Sequence, residues 1–180
     1  MCKTGYQRLE ENLADLIAEE QAKLGYRKEP VRFYYPLTSL GHFFGENNDT
    51  AEEMQQRLAA FPASVREKYG EVEITHDGDR FCIFLSDQAS EYVSRNRGEN
   101  TFIYELVSLL AKHGTTMEEV KDLFCRTEKT CIIEPVSNGE FDILIRFTQK
   151  DDPYYYCFKD EGCHIIYHRF LPEDYKDFDF

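Results

Sequence analysis

His164 and His168 sit four positions apart near the C-terminus, and Tyr154, Tyr156 and Phe158 alternate through the segment before them. Imidazoles grouped with phenolic hydroxyls can hydrogen-bond a small polar ligand, or bind a metal where the spacing allows. On a regular strand four rises of ~3.3 Å separate the two histidines by ~13 Å, whereas zinc takes ligands at ~2.1 Å. They cannot share one ion. Turn chemistry then decides which face they occupy. A three-residue Asp160-Glu161-Gly162 loop pairs Lys159 with Cys163, Phe158 with His164, and Tyr154 with His168. In that register Tyr154, Tyr156, His164 and His168 share a face and make the candidate ligand-binding set. Amphipathic packing residues with polar edges are the commoner use of such side chains.

The remaining chemistry-bearing residues are scattered. Cysteines stand at positions 2, 82, 125, 131, 157 and 163, none in C-x-x-C spacing, so neither a zinc knuckle nor a thioredoxin-type motif is formed. Cys82 and Cys131 fall in apolar strands, where a free thiol behaves as a small core residue. His76, Asp77 and Asp79 gather at a turn whose Asp-Gly pair has a structural use of its own. Ser39 and His42 are one helical turn apart, but a serine nucleophile needs an elbow and an oxyanion hole that the sequence lacks. Phosphate-binding loops, G-x-G-x-x-G, H-E-x-x-H, G-x-S-x-G and an EF-hand loop are absent. No catalytic residue, metal or cofactor is assigned, and the reading leans away from an enzyme.

Those residues must be held by some fold, and the hydrophobic pattern predicts its elements. Residues 1–70 read as mainly helical: Leu9, Leu13, Leu16, Ile17 and Leu24 recur at helical spacing. Thr4 with Gln7, Thr50 with Glu53, and later Thr116 with Glu119 fit capping boxes. Residues 71–86 read as a hairpin about a two-residue Asp77-Gly78 type I′ turn, with Val72, Ile74, Phe81, Ile83 and Leu85 on one face. Residues 87–126 read as helical, beginning with a weak helix or turn-rich connection. Residues 129–170 read as an antiparallel meander in which Phe141, Ile143, Ile145 and Phe147 alternate with polar neighbours. A Ser137-Asn138-Gly139 loop aligns Cys131, Ile133 and Pro135 with that face. The expected fold class is α+β in a single domain, with N-terminal and central helices packed on an antiparallel hairpin and a C-terminal meander.

Charge narrows the partners. The 180 residues weigh 21.2 kDa and carry 34 acidic against 21 basic side chains, a net −13 with a pI near 4.8. Neutralising phosphates needs the opposite surplus, so nucleic acid is not expected as a direct ligand. At 42% hydrophobic residues the chain has enough apolar surface to fold. Its richest apolar run, FIYELVSLLA, is broken by Glu105 and falls far short of the ~20 residues a bilayer span needs. The opening MCKTGYQRLEEN has no apolar core of the signal-peptide kind, so a cytoplasmic protein with reduced thiols is expected. The segment 171–180 is acidic and aromatic. Tyr175, Asp177, Phe178 and Phe180 are its candidate partner-binding residues, aimed at a basic protein.

The segments LEENLADLIAEEQAKLGY, FYYPLTSLGHFFG and HDGDRFCIFL together resemble an uncharacterised domain-of-unknown-function family of small proteins from gut Firmicutes. The resemblance spans most of the chain and implies a bacterial cytosolic protein. It transfers no functional residue.

The leading expectation is a non-catalytic binding or regulatory module that presents an acidic, aromatic surface to a protein partner. The alternative is a small-molecule-binding protein or enzyme using the Tyr/His face. Mimicry of nucleic-acid phosphates is a third.

Overall fold

Three helices open on the capping boxes that the sequence spells. The hydroxyls of Thr4, Thr50 and Thr116 accept from the backbone amides of Gln7, Glu53 and Glu119, whose side chains accept in return from the threonine amides. This computed structural model describes residues 3–45, 49–96, 98, 101–136, 139–149 and 152–172. Among the described residues the fold is α+β, with seven helices and two antiparallel sheets of three and four strands. Contacts gather into two compact units, Met1–Ile103 and Tyr104–Phe180.

The first unit runs α1 (Gly5–Leu24), β1 (Val31–Pro36), α2 (Leu37–Phe44), α3 (Ala51–Leu58), α4 (Phe61–Tyr69), β2 (Val72–Asp77), β3 (Arg80–Leu85) and α5 (Asp87–Arg95). Its sheet has the order β1-β3-β2. The side chains of one sheet face, Tyr35, Val72, Phe81, Ile83 and Leu85, are buried, as are Leu9, Leu13 and Ile17 of α1 and Met54, Phe61 and Val65. The Tyr35 hydroxyl donates to Asn12 Oδ1 at 2.6 Å in a buried hydrogen bond, fixing β1 against α1.

Two expectations change here, and one open alternative is decided. The 31–36 segment is a strand that the alternation rule passed over, because Phe33, Tyr34 and Tyr35 run together without a polar residue between them. Of the weak helix or turn-rich connection expected at the start of 87–126, the helix is the one formed, and it buries Ala89, Ser90 and Val93. The hairpin turn is Gly78-Asp79, not Asp77-Gly78: Asp77 pairs with Arg80, and Ile74 with Ile83. A type I′ turn asks for positive φ at both central residues, whereas Gly78 at φ 55 is the only residue of this turn with positive φ. A type II′ turn spares the aspartate that strain. Because each partner moves by two residues, every side chain keeps its face.

α6 (Thr101–Leu110) contains the division between the units. The second unit continues with α7 (Met117–Cys125), β4 (Cys131–Pro135), β5 (Ile143–Phe147), β6 (Tyr155–Asp160) and β7 (Ile165–Phe170), the strands in sequential order. Phe124 of α7 lies on one sheet face, its ring 5.3 Å from Phe147, 5.1 Å from Tyr156 and 5.8 Å from Phe158.

Both meander loops are longer than expected, with opposite consequences. The β4–β5 ladder closes where the Val136 amide donates to the Asp142 carbonyl, and Ile133 pairs with Ile145. Phe141 leaves the ladder to pack with Leu144 and Cys157, so the three-residue loop is replaced by a longer one. Ser137 and Asn138 lie outside the described residues. That slip is two residues, so Cys131, Ile133 and Pro135 stay on the expected face. Between β6 and β7 the loop is Glu161–His164, with Asp160 paired to Ile165. The slip relative to the expected register is three residues, and it inverts β7. Ile165 and Tyr167 now join Phe158 on the face that α7 covers, with the Tyr167 ring stacked 5.4 Å from Phe158. The apolar pattern of β7 outweighed the turn.

Candidate functional site

The outer face of the β1-β3-β2 sheet carries side chains that are large, exposed and already held in place. Strand alternation sends Val31, Phe33 and Tyr35 inward, and therefore Arg32, Tyr34 and Pro36 outward. Pro30 and Pro36 flank this edge strand, where the missing donors cost least. Pairing sets three rows across the face: Arg32, Phe84 and Glu73; Tyr34, Cys82 and Thr75; Pro36, Arg80 and Asp77. The Arg32 guanidinium sits 4.9 Å from the centre of the Phe84 ring, and that of Arg80 sits 5.1 Å from the centre of Tyr34. Tyr34 remains 57% exposed between the inward-facing Phe33 and Tyr35. Such stacks fix rotamer-rich side chains before any partner arrives, which lowers the entropic cost of contact. Tyr and Arg are also the residues that most often dominate binding energy at protein interfaces.

The Tyr/His set is not brought together. Tyr156 and Tyr154 are buried in the second unit, Tyr156 edge-on to Phe124 and donating to Asp152 Oδ1 at 3.0 Å. His168 lies on the opposite sheet face, across from Cys157, its ring near Phe141 and Phe170. His164 is not in the strand at all. It ends the exposed loop, where its Nδ1 is 3.1 Å from Cys163 Sγ. The His113 ring contacts the Cys163 carbonyl, so this loop is tied to the segment before α7. Tyr175, Asp177, Phe178 and Phe180 lie outside the described residues.

Residues 6–178 match the family described as a domain of unknown function from an E. rectale gene description, DUF3877. The chain belongs to this family. No curated protein and no solved structure matches it.

Among the described residues of this DUF3877 chain no group of three or more His, Cys, Asp or Glu side chains could hold a metal ion. A cleft of about 60 Å³ between the end of α1 and the start of β1 is lined by Gln21, Leu24, Arg27, Glu29 and Ser90. It has room for a water or two, against the roughly 300–1,000 Å³ of ligand pockets. Its polar groups are engaged with each other: Gln21 Nε2 donates to the Ser90 carbonyl, and Ser90 Oγ to the Glu29 carbonyl, both at 2.8 Å. Among the described residues no helix is long and apolar enough to cross a membrane.

Reading the sequence missed Arg32, Tyr34, Arg80 and Phe84. A signal was present. The run VRFYY between two prolines is rich in β-branched and aromatic residues, which marks a strand even where strict alternation fails.

Proposed function

We propose that this chain is a cytosolic protein-binding module that engages a basic protein partner through the open face of its three-stranded sheet. One observation carries the reading: Tyr34 stands 57% exposed beneath Arg80, beside the Arg32–Phe84 stack, on a sheet face where Arg32, Glu73, Thr75, Asp77 and Arg80 are exposed as well. Aromatic and arginine side chains gathered in one exposed patch are the composition of contact surfaces. The net charge of −13 supplies long-range attraction to a cationic partner, and exposed Glu73 and Asp77 at the β2 edge supply local counter-charges. The acidic, aromatic segment 171–180 extends the same chemistry, its carboxylates steering and its rings adding contact area. The cytosol is the compartment that would keep the thiols of Cys82, Cys125, Cys131, Cys157 and Cys163 reduced.

The test is a photo-crosslinking amino acid, p-benzoylphenylalanine, placed at position 34 in the full-length chain and activated in cells. A control chain carries it at Glu118, whose side chain is 78% exposed on α7. The expected result is a discrete adduct with a basic protein from position 34 alone, lost when Glu73 and Asp77 are changed to Lys. Adducts common to both positions, or none from position 34, would overturn the proposal.

A further inference from the structure

Independently of the sheet face, the second unit holds two thiols side by side. Cys125 is the last residue of α7 and Cys131 the first residue of β4, and their sulfurs are 3.9 Å apart. Cys125 is exposed and Cys131 half-buried. The connection between them is held by its own hydrogen bonds. Thr127 Oγ1 donates to the Phe124 carbonyl at 2.8 Å, the Thr127 amide caps the same carbonyl, and the Thr148 amide donates to the Thr130 carbonyl. Two sulfurs at van der Waals contact are already close neighbours, and closing to the ~2.05 Å of a bond brings them less than 2 Å nearer. We propose that Cys125 and Cys131 form a reversible dithiol–disulfide site, oxidised by a low-molecular-weight disulfide and reset by the corresponding thiol.

The two cysteines divide the steps between them. The exposed Cys125, as thiolate, attacks one sulfur of the external disulfide; a protein–small-molecule mixed disulfide forms and one small thiolate leaves. Cys131 then loses its proton and attacks Cys125 Sγ, forming the internal bond and expelling nothing further than the second small thiolate. Two protein thiols are thereby oxidised by two electrons, and one external disulfide is reduced to two thiols that take up the two protons. Burial first, and the adjoining Cys125 next, raise the Cys131 thiol above its ordinary range, so it is not the thiol that attacks first, and its contact with Cys125 places it for the second, intramolecular step. Cys125 adjoins Phe124, the ring on which the sheet packs, so the bond ties the end of α7 to the sheet edge it covers. In a reducing compartment a site of this kind is a transient sensor and not a permanent staple.

The experiment equilibrates the full chain with oxidised and reduced glutathione in varying ratio, quenches by alkylation, and maps cysteine-containing peptides by mass. The expected result is a monomer lighter by about 2 Da, with Cys125 linked to Cys131, restored by dithiothreitol. In Cys131→Ser the mixed glutathione disulfide accumulates on Cys125 because nothing resolves it, while Cys163→Ser behaves as the parent chain. Oxidised chain should also unfold at higher temperature than reduced chain, a difference absent from Cys131→Ser. A persistent glutathione adduct on Cys125 of the parent chain, linkage of either cysteine to another position, or a pair that stays reduced in fully oxidised glutathione would each overturn the proposal. Peptide mapping of the parent chain decides it even where a serine variant folds poorly.

Discussion

His168 stands directly across the β6–β7 ladder from Cys157. The thiol is fully buried against Leu144 and Phe141, while the imidazole at the neighbouring edge strand is exposed. This pairing separates His168 from Tyr156 and Tyr167 in the second unit. Residues on one side of the sheet, Tyr156, Phe158 and Tyr167, pack under α7, and Cys157 and His168 occupy the other. A ligand face built from both would require the strand to be turned over.

The buried thiol has a measurable signature. Burial pushes Cys157 up to about 12 from an ordinary 9.0. Below the lower value the folded and unfolded chains both hold the proton, and the group's contribution to stability is intact. Between the two values the unfolded chain ionises and the folded one does not, so stability is lost as pH rises. Other groups titrate in that range, so the informative quantity is the difference between the parent chain and Cys157→Ala. Urea unfolding should show that difference shrinking by up to about 2 kcal/mol between about pH 8 and about pH 10.5. A constant difference would mean the thiol reaches solvent in the folded state.

The hairpin turn makes a second prediction, because its two possible forms place strain on different residues. With Gly78 at φ 55 and Asp77 in the ladder opposite Arg80, Gly78→Ala should cost roughly 1 kcal/mol. Asp77→Thr, at an extended strand position, should leave stability within about 0.5 kcal/mol of the parent. A type I′ turn centred on Asp77 and Gly78 reverses the second outcome, since a β-branched residue tolerates positive φ badly. Thermal and urea unfolding of the two variants separates these forms.

The contrast between the three loops shows how much was legible and why. Capping is local chemistry, and Thr4, Thr50 and Thr116 declared their helices without tertiary information. Face assignment was robust wherever a loop was misjudged by two residues, since strand periodicity is two; hence Ile74, Ile83, Ile133 and Ile145 were placed correctly in a wrong register. The β6–β7 loop was misjudged by three, and the candidate ligand face of Tyr154, Tyr156, His164 and His168 rested on that one step. Ile165 and Tyr167, spaced for the covered face, held the better signal. The Arg32–Phe84 and Arg80–Tyr34 stacks depend on which strand lies beside which, and strand order is a long-range property that periodicity does not carry.

A third prediction concerns the cap of α7. The Thr116 backbone amide donates to Glu119 Oε2 at 2.8 Å and the Thr116 hydroxyl at 3.0 Å, and these bonds, the backbone one first, hold the Glu119 carboxyl below its ordinary 4.5. The stabilisation is present above the unfolded-chain value and fades as pH falls through the folded one. In Thr116→Ala the hydroxyl contribution goes while the amide remains. The Glu119 carboxyl should then titrate at higher pH, still short of its unfolded value, by carbon-detected NMR. An unmoved titration would show that the hydroxyl plays no part.

Tyr34 and Tyr35 are adjacent in sequence and opposed in use, which gives the sharpest check on the binding face. Tyr35 is buried and donates to Asn12 Oδ1 at 2.6 Å, so Tyr35→Phe removes a buried hydrogen bond and should cost about 1 kcal/mol of folding stability. Tyr34 is exposed, and its contact with Arg80 is a surface cation–π pair. Tyr34→Ala should therefore cost less than about 1 kcal/mol while abolishing partner capture. If urea unfolding instead shows Tyr34→Ala to be the more damaging of the two, the outer sheet face is holding the first unit together. Its exposed ring is then a folding element, and the partner must be met elsewhere on the chain.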